Sequence, residues 1–408
     1  MDDPLKVTPA QPDRPRARRW GARLLIRLFL MVLAIEGLSY ALLRFGPQAL
    51  IQTVYHPPVI GRAAFETFMA ERHPILSWPT RGRDGRDREI PLDERGARTS
   101  MTNVVFSNGD TCLSAYGDGA VRADGVADHH AWSDLLARRL ACRVDNFGIS
   151  GYGADQAVLR LLLNPADAAK AMVLGVSPAA LLRMGSQWPF LLDGPSAGLA
   201  ILTDMTGRLD LVPAHDLTYE GFLGLARDPA LYLGHERYLP GSPYGPEPFA
   251  FPYSASLARV GIRFWRTLEP GRMLAGAPMR LWRHPSWFEG ASGPAPELLA
   301  RSDRLIGIFH RACTARGARC AVLVLPDVRS LFEIQTSGRN LLEVIYRRLP
   351  PPMTVWDPLP ELSAAMAEKG VCHYVGNGRD CRGHFNADGN RLIADFIARQ
   401  LARLTGAP

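Results

Sequence analysis

The stretch Thr111–Gly119 (TCLSAYGDG) decides the fold that this sequence predicts. Its first six residues are mostly apolar and predict a short buried strand, which ends at the turn Gly117-Asp118-Gly119. Further along, Trp132–Leu140 has the apolar spacing of an amphipathic helix. A buried strand followed by a turn and a helix is the unit from which parallel sheets are built.

The same alternation continues on both sides of a long interruption. Short strands are predicted at Arg143–Phe147, Ala171–Val176, Cys320–Leu325 and Thr354–Trp356, and helices at Ala154–Leu163, Pro296–Arg316 and Asn390–Leu404. Residues from about 186 to 295 are rich in Gly, Pro and aromatics and predict an insertion or lid. The pattern predicts a parallel sheet covered on both faces. Ligands of such sheets bind beyond the carboxyl ends of the strands, where the loops at Gly119, Gly148 and Val176 point.

The N-terminal region has the pattern of a membrane anchor. Residues 1–27 carry seven Lys and Arg, and the apolar run Leu24–Leu43 is about long enough to span a bilayer. Arg27 and Arg44 could snorkel from its ends, whereas Glu36 must be paired or face another helix. The basic flank predicts a cytoplasmic N-terminus, one pass through a bacterial inner membrane and a periplasmic globular domain. A cleaved signal peptide is the alternative, although no convincing cleavage site follows the apolar run.

Composition divides the chain into four segments. Residues 1–23 form a basic cytoplasmic tail, 24–44 a transmembrane signal anchor, 45–103 a stalk or lead-in, and 104–408 a globular domain that contains the insertion at about 186–295. Of the net charge of +7, +4 lies in residues 1–27, and the remaining chain is near balance and has no basic stripe interleaved with aromatics. A nucleic-acid partner is therefore not expected.

The six cysteines suit an oxidising compartment. Cys372 and Cys381 lie in one Gly-rich loop, and Cys313 and Cys320 bracket a helix-to-strand turn, so both spacings could close a disulfide. Cys142 lies beside a predicted strand, and the alternative interpretation is that it is an ordinary small buried residue. The sequence has no CxxC pair and no HExxH motif, so we expect no metal site and no cofactor.

Four sequence blocks occur in an order that is typical of one hydrolase superfamily. They are Tyr116–Gly119, Asn146–Gln156, Gly175–Arg183 and Gly383–Arg391, and the lead-in Leu92–Arg98 precedes them. Together they resemble the SGNH (GDSL-type) hydrolases, most of all the membrane-anchored bacterial members. The resemblance implies a flavodoxin-like three-layer α/β/α SGNH fold. It also implies hydrolysis or transfer of an O-acetyl group on a cell-envelope polysaccharide.

The resemblance assigns a catalytic role to positions that this sequence does not fully keep. In the family, a Ser in the first block attacks the ester after a C-terminal His takes its proton. Here the Ser position is Gly119, which has no side-chain oxygen to acylate, and the His position is His384. The orienting Asp, normally two or three residues before the His, is displaced to Asp380. Ala179 and Ala180 stand where the family usually has Asn or an acidic residue, and losing an oxyanion donor typically costs about 10²–10³ in rate.

Other members of the presumed site are retained. The backbone N–H groups of Gly119 and Gly148 are the expected oxyanion donors, because backbone donors do not depend on side-chain identity. Asp118 and Asn146 complete the first and second blocks. Ser150, in the second block, could replace the missing nucleophile only if the backbone brought it near the catalytic His.

Two losses at one site predict a pseudoenzyme. We expect a degenerate envelope protein that binds glycan or an assembly partner and performs little acyl chemistry. The first alternative is an active esterase or O-acetyltransferase that uses Ser150 or a water molecule activated by His384. The second alternative is a purely structural anchor subunit.

Overall fold

The computed structural model describes residues 16–51, 53–73, 75–77, 92–107, 111–193, 217–267, 296–340, 342–349, 353–376, 381 and 383–405. The chain divides into two compact units, Met1–His56 with Pro246–Ala277, and Pro57–Gly245 with Pro278–Pro408. The predicted stalk and the predicted insertion each contribute residues to both units.

The helices and strands are as follows. In chain order the helices are α1 (Arg16–Phe45), α2 (Gln48–Ile51), α3 (Arg62–Glu71), α4 (Gly119–Arg122), α5 (Trp132–Leu140), α6 (Ala154–Leu162), α7 (Pro178–Arg183), α8 (Phe190–Asp193), α9 (Tyr219–Arg227), α10 (Tyr253–Thr267), α11 (Pro296–Ala315), α12 (Val328–Ser337), α13 (Glu343–Tyr346), α14 (Leu359–Lys369) and α15 (Ala387–Thr405). The strands are β1 (Val54–Tyr55), β2 (Thr111–Tyr116), β3 (Arg143–Asn146), β4 (Ala171–Val176), β5 (Glu247–Pro248), β6 (Arg319–Val324) and β7 (Thr354–Trp356).

The second unit is built on a five-stranded sheet with the order β3-β2-β4-β6-β7, and every neighbouring pair is parallel. Counted along the chain, this is the 2-1-3-4-5 order of one common doubly wound fold. The predicted α/β class with a parallel sheet is thus confirmed. The strand order reverses between β2 and β4, and ligands of doubly wound sheets bind in the crevice at such a switch point.

Alternate residues of the central strands face opposite helical layers. In β4, Met172 and Leu174 belong to a core that includes α6 and α11, whereas Ala171 and Val173 belong to a core that includes α5 and α15. All six residues of β4 are buried. A strand buried on both faces needs a continuous apolar run, which is why the sequence of this strand does not alternate with polar residues.

Three disulfides link the six cysteines: Cys112–Cys142, Cys313–Cys320 and Cys372–Cys381. The last two are the pairs that the spacing allowed. The alternative interpretation of Cys142 as an ordinary small buried residue is wrong, because its sulfur is bonded to Cys112. This bond joins the start of β2 to the turn that precedes β3.

A buried carboxylate joins two segments of the second unit that are distant in the sequence. Glu236 accepts hydrogen bonds from the Ser186 hydroxyl and from the backbone N–H groups of Gln187, Trp188 and Tyr238. Burial raises the pKa of Glu236 to about 7, although these hydrogen bonds oppose the shift.

Within the described chain, one helix is long and apolar enough to cross a membrane, at Gly21–Phe45. Its length and composition suit a membrane anchor and also suit a signal sequence.

Candidate functional site

Gly119 lies just beyond the carboxyl end of β2, as the first residue of the short helix α4. A Cβ atom built on Gly119 would lie 2.3 Å from Oδ2 of Asp124 and 3.3 Å from Nε2 of His384. The structure therefore brings His384 to position 119. It also fills the space that a side chain at 119 would need with the carboxylate of Asp124.

Asp124 reaches this place because the chain folds back after one helical turn. Ala123 adopts the left-handed conformation with φ 64°, and the N–H of Asp124 donates to the carbonyl of Gly119 at 3.0 Å. The carboxylate forms an ion pair with the Nε of Arg122 and lies 3.9 Å from Nε2 of His384. The Asp124 side chain is 9% exposed and that of His384 is 40% exposed. The pair is thus reachable from solvent only on the histidine side.

Asp118 is a structural residue that joins the ends of β2 and β4. Its Oδ1 accepts from the N–H of Ala120 and caps α4, while its Oδ2 accepts from the Ser177 hydroxyl at 2.6 Å. Ser177 in turn caps α7 by accepting from the N–H of Ala180 at 3.1 Å. Ala179 and Ala180 accordingly lie in the first turn of α7, next to the switch point of the sheet.

Arg183 lies among three carboxylates of the site. Arg183 lies 3.6 Å from Asp118 and forms an ion pair with Asp193 at 2.7 Å. Burial by itself lowers the pKa of Arg183, but the carboxylates of Asp193, Asp118 and Asp124 outweigh burial and raise it above its ordinary value. Arg183 therefore holds its proton although it is buried.

Asn146 and Gly148 hold the loop after β3 against α4. The side-chain amide of Asn146 donates to the carbonyl of Val121 at 2.7 Å, and its oxygen accepts from the N–H of Gly148 at 3.0 Å. A Cβ on Gly148 would lie 2.5 Å from the backbone nitrogen of Arg122, so only glycine allows this approach. The N–H of Gly148, expected as an oxyanion donor, is thus already hydrogen-bonded within the protein.

His384 lies on the loop that leads into α15. Asn386 fixes this loop, because its oxygen accepts from the first backbone N–H groups of α15 and its amide donates to the carbonyl of His373 at 2.8 Å. The disulfide Cys372–Cys381 closes the same region. The predicted orienting residue Asp380 lies outside the described residues.

The two serines near the site have different positions. Ser114 lies inside β2, is fully buried, and donates to Asp167 at 2.8 Å, so it has no access to a substrate. Ser150 lies in the turn between β3 and α6. The structure therefore excludes Ser114, and the role of Ser150 as an alternative nucleophile stays a prediction.

Arg98 supports the loop that carries Asp124. Its buried guanidinium donates to the carbonyls of Arg122, Ala123 and Val126 and forms an ion pair with Asp128. The lead-in thereby fixes the segment that fills position 119. A buried arginine in a Pro- and Arg-rich lead-in has no signature that separates it from surface arginines, which is why sequence reasoning gave it no role.

Within the described ranges, no group of three or more His, Cys, Asp or Glu side chains could hold a metal ion. In comparisons with known proteins, no family model and no curated protein sequence matches the chain. The function is therefore inferred from the doubly wound fold and from the groups at the switch point. These groups are the carboxylate of Asp124 and the imidazole of His384, which both lie beside Gly119.

Proposed function

We propose that this chain is a membrane-anchored envelope protein with a degenerate SGNH-like site, which binds an envelope glycan or an assembly partner and performs little acyl chemistry. The observation that carries the proposal is the contact at position 119. The carboxylate of Asp124 occupies the volume of the missing side chain, 2.3 Å from where its Cβ would lie.

Acyl transfer by this type of site needs an oxygen or sulfur nucleophile within hydrogen-bond reach of its base. His384 is close to position 119, but glycine supplies no such atom there. Removing the nucleophile of a serine hydrolase costs on the order of 10⁶ in kcat. Since Ser114 is buried in β2 and hydrogen-bonded to Asp167, it cannot replace the missing nucleophile.

A binding role suits the groups that remain. The switch point of a doubly wound sheet is where such folds take up ligands. At this point the chain presents the exposed imidazole of His384 above a carboxylate that is neutralised by Arg122. Polar groups of this kind can accept and donate hydrogen bonds to the hydroxyl and acetyl groups of a polysaccharide.

The test measures hydrolysis of p-nitrophenyl acetate by the full-length protein in detergent. We expect the wild type and His384→Ala to be indistinguishable from each other. The double variant Gly119→Ser/Asp124→Ala restores a hydroxyl beside His384 and removes the obstructing carboxylate, so we expect it to gain turnover. That gain must disappear in the triple variant that adds His384→Ala. Wild-type turnover that His384→Ala abolishes would contradict the proposal.

Binding is tested separately. The wild-type protein is expected to be retained on immobilised envelope polysaccharide, acetylated or de-acetylated, or to capture a discrete envelope protein. Absence of both would favour the structural anchor subunit instead.

A second function, an active esterase or O-acetyltransferase, has one observation in its favour. Asp124 lies 3.9 Å from Nε2 of His384, so the two could together activate a water molecule. This alternative predicts that Asp124→Ala and His384→Ala each abolish a measurable wild-type rate.

A further inference from the structure

The first unit contains a polar contact in an unexpected place, in the middle of the apolar helix α1. The carboxylate of Glu36 accepts hydrogen bonds from the backbone N–H groups of Tyr253 and Ser254, at 2.6 and 3.3 Å, and from the Ser254 hydroxyl. Tyr253 is the first residue of α10. Glu36 therefore caps the beginning of a second helix.

The position of Glu36 along α1 fixes how deep this contact lies if α1 spans a membrane. Glu36 lies nine residues after Arg27, which is about 13 Å of helix, whereas the hydrocarbon core is about 30 Å thick. The span must therefore continue beyond Glu36 to about Leu43. Glu36 lies about 10 Å before Leu43 along the helix axis, so the first turn of α10 lies at that depth too.

The two helices run side by side in the same direction. At the level of Glu36, Tyr253 packs against Tyr40 with ring centroids 5.1 Å apart. Seven residues further along each helix, Val260 and Leu43 belong to one small apolar core, and Leu43 is fully buried in it. The chain before α10 comes from beyond the C-terminal end of α1, where Glu247 and Pro248 pair with Val54 and Tyr55, and it reaches Tyr40 at Phe249, whose ring centroid lies 5.5 Å from that of Tyr40.

The turn that precedes α10 exposes a large apolar side chain. Phe251 is 72% exposed, and Ile262, on α10, is more than half exposed. The neighbouring part of α1 also exposes apolar side chains, among them Leu30 and Leu33. Apolar side chains are thus exposed both on the span and along the segment Phe249–Ile262, and a bilayer is the partner that already covers those of the span.

We propose that Phe249–Ile262 is a re-entrant element, which enters the outer leaflet of the membrane beside α1, turns at Phe251 and returns as α10. The backbone N–H groups at the start of a helix have no partners within the helix, and in hydrocarbon they must be satisfied by the protein. Glu36 satisfies two of them. This inference rests on the part of the proposed function that makes α1 a retained anchor, because a cleaved α1 would leave α10 without Glu36 and Leu43.

The test places one nitroxide spin label at a time on the full-length protein in phospholipid vesicles. The described cysteines are all in disulfides, so a single added cysteine is the labelling site. The labelled variants are Phe251→Cys and Ile262→Cys, with Leu33→Cys as the lipid-facing reference and Val104→Cys, at a highly exposed position of the second unit, as the water-facing reference. Collisions with oxygen, which concentrates in hydrocarbon, are compared with collisions with a nickel chelate, which stays in water.

We expect oxygen collisions to exceed nickel collisions at 33 and 251, and the reverse at 104. The oxygen-to-nickel ratio should fall from 251 to 262, because α10 climbs towards the surface. A label at 251 that behaves like the label at 104, while 33 remains lipid-like, would overturn the re-entrant element and leave the anchor standing. Low collision rates with both reagents at 251 would show that protein covers Phe251, which also overturns it. If 33 itself is water-exposed, the anchor fails.

Discussion

Substituting Gly119 by serine tests whether the Asp124 carboxylate occupies the place of a nucleophile. The new Cβ would lie 2.3 Å from Oδ2 of Asp124, far inside van der Waals contact, so the carboxylate must swing away. Asp124 forms an ion pair with Arg122, and both side chains are less than a tenth exposed. Removing one partner of a buried pair costs about 3–5 kcal/mol. A carboxylate that is displaced and not deleted retains part of the attraction, so we expect Gly119→Ser to cost about 2–3 kcal/mol of unfolding free energy.

A double-mutant cycle separates this displacement from any general effect of serine at 119. Asp124→Ala alone should cost about 3–5 kcal/mol, because Arg122 loses its counter-charge. With the carboxylate gone, the nearest remaining neighbour of the new Cβ is Nε2 of His384 at 3.3 Å. The His384 side chain is 40% exposed and can shift by a few tenths of an ångström, so the further cost of Gly119→Ser should be within about 0.5 kcal/mol. The expected coupling between the two positions is therefore about 2–3 kcal/mol.

Urea unfolding of the four full-length proteins in detergent gives these values from the shift in midpoint at constant slope. Gly234→Ser is the matched control, because a Cβ at Gly234 would have no atom within 4 Å, and this variant should be neutral. The reasoning is refuted if Gly119→Ser costs the same with and without Asp124. It is refuted equally if Gly119→Ser is neutral in the wild-type background.

Three further predictions concern stability. The pKa of Glu236 in the folded protein is about 7, above its ordinary value of 4.5. The stability that protonated Glu236 contributes is therefore present below pH 4.5 and is lost as the pH rises through 7. In chemical denaturation, the unfolding free energy of the wild type relative to that of Glu236→Gln should fall by about 3 kcal/mol between pH 4.5 and pH 8. The disulfide Cys112–Cys142 closes a 30-residue separation, so its double serine variant should lose about 3–4 kcal/mol, about 1 kcal/mol more than the matched variant of a seven-residue loop, Cys313–Cys320. Arg98→Ala should lose about 3 kcal/mol or more of unfolding free energy. Arg98→Lys should not restore this stability, because a lysine ammonium cannot donate to several carbonyls as the planar guanidinium does. Thermal unfolding of both variants measures the loss.

The sheet was predictable because the residues of its central strands by themselves indicate buried strands. Ala171–Val176 is apolar throughout and Thr111–Tyr116 is mostly apolar, and the structure forms strands with these same bounds. A strand that is buried on both faces is mostly apolar along its whole length, so an apolar run predicts where in the sequence such a strand lies. The order of the strands is less local, and it was expected only through the resemblance of the motif blocks to a doubly wound family.

The site was predictable only for residues that carry recognisable chemistry. Gly119 and His384 were paired by the order of the motifs, and the structure brings them within reach of one another. Asp124 has no role among the residues predicted from the sequence, because its place depends on a left-handed residue at Ala123 that turns the chain back over α4. Alanine does not favour the left-handed conformation, so the sequence at this position does not predict the turn. Ser177 was missed for a similar reason, since a capping serine looks like any other serine before a proline.

The charge at Glu36 shows how a local anomaly can point to a distant partner without naming it. A carboxylate inside an apolar span is costly unless it is paired, so the sequence required a partner for Glu36. That partner, the start of α10, lies 217 residues away in a region whose composition predicted only an insertion or lid. The donors to Glu36 in the described structure are two backbone N–H groups and a hydroxyl. A search of the sequence for basic residues does not find donors of this kind. A search for the partners of intramembrane carboxylates should therefore include the first turns of other helices as well as lysines and arginines.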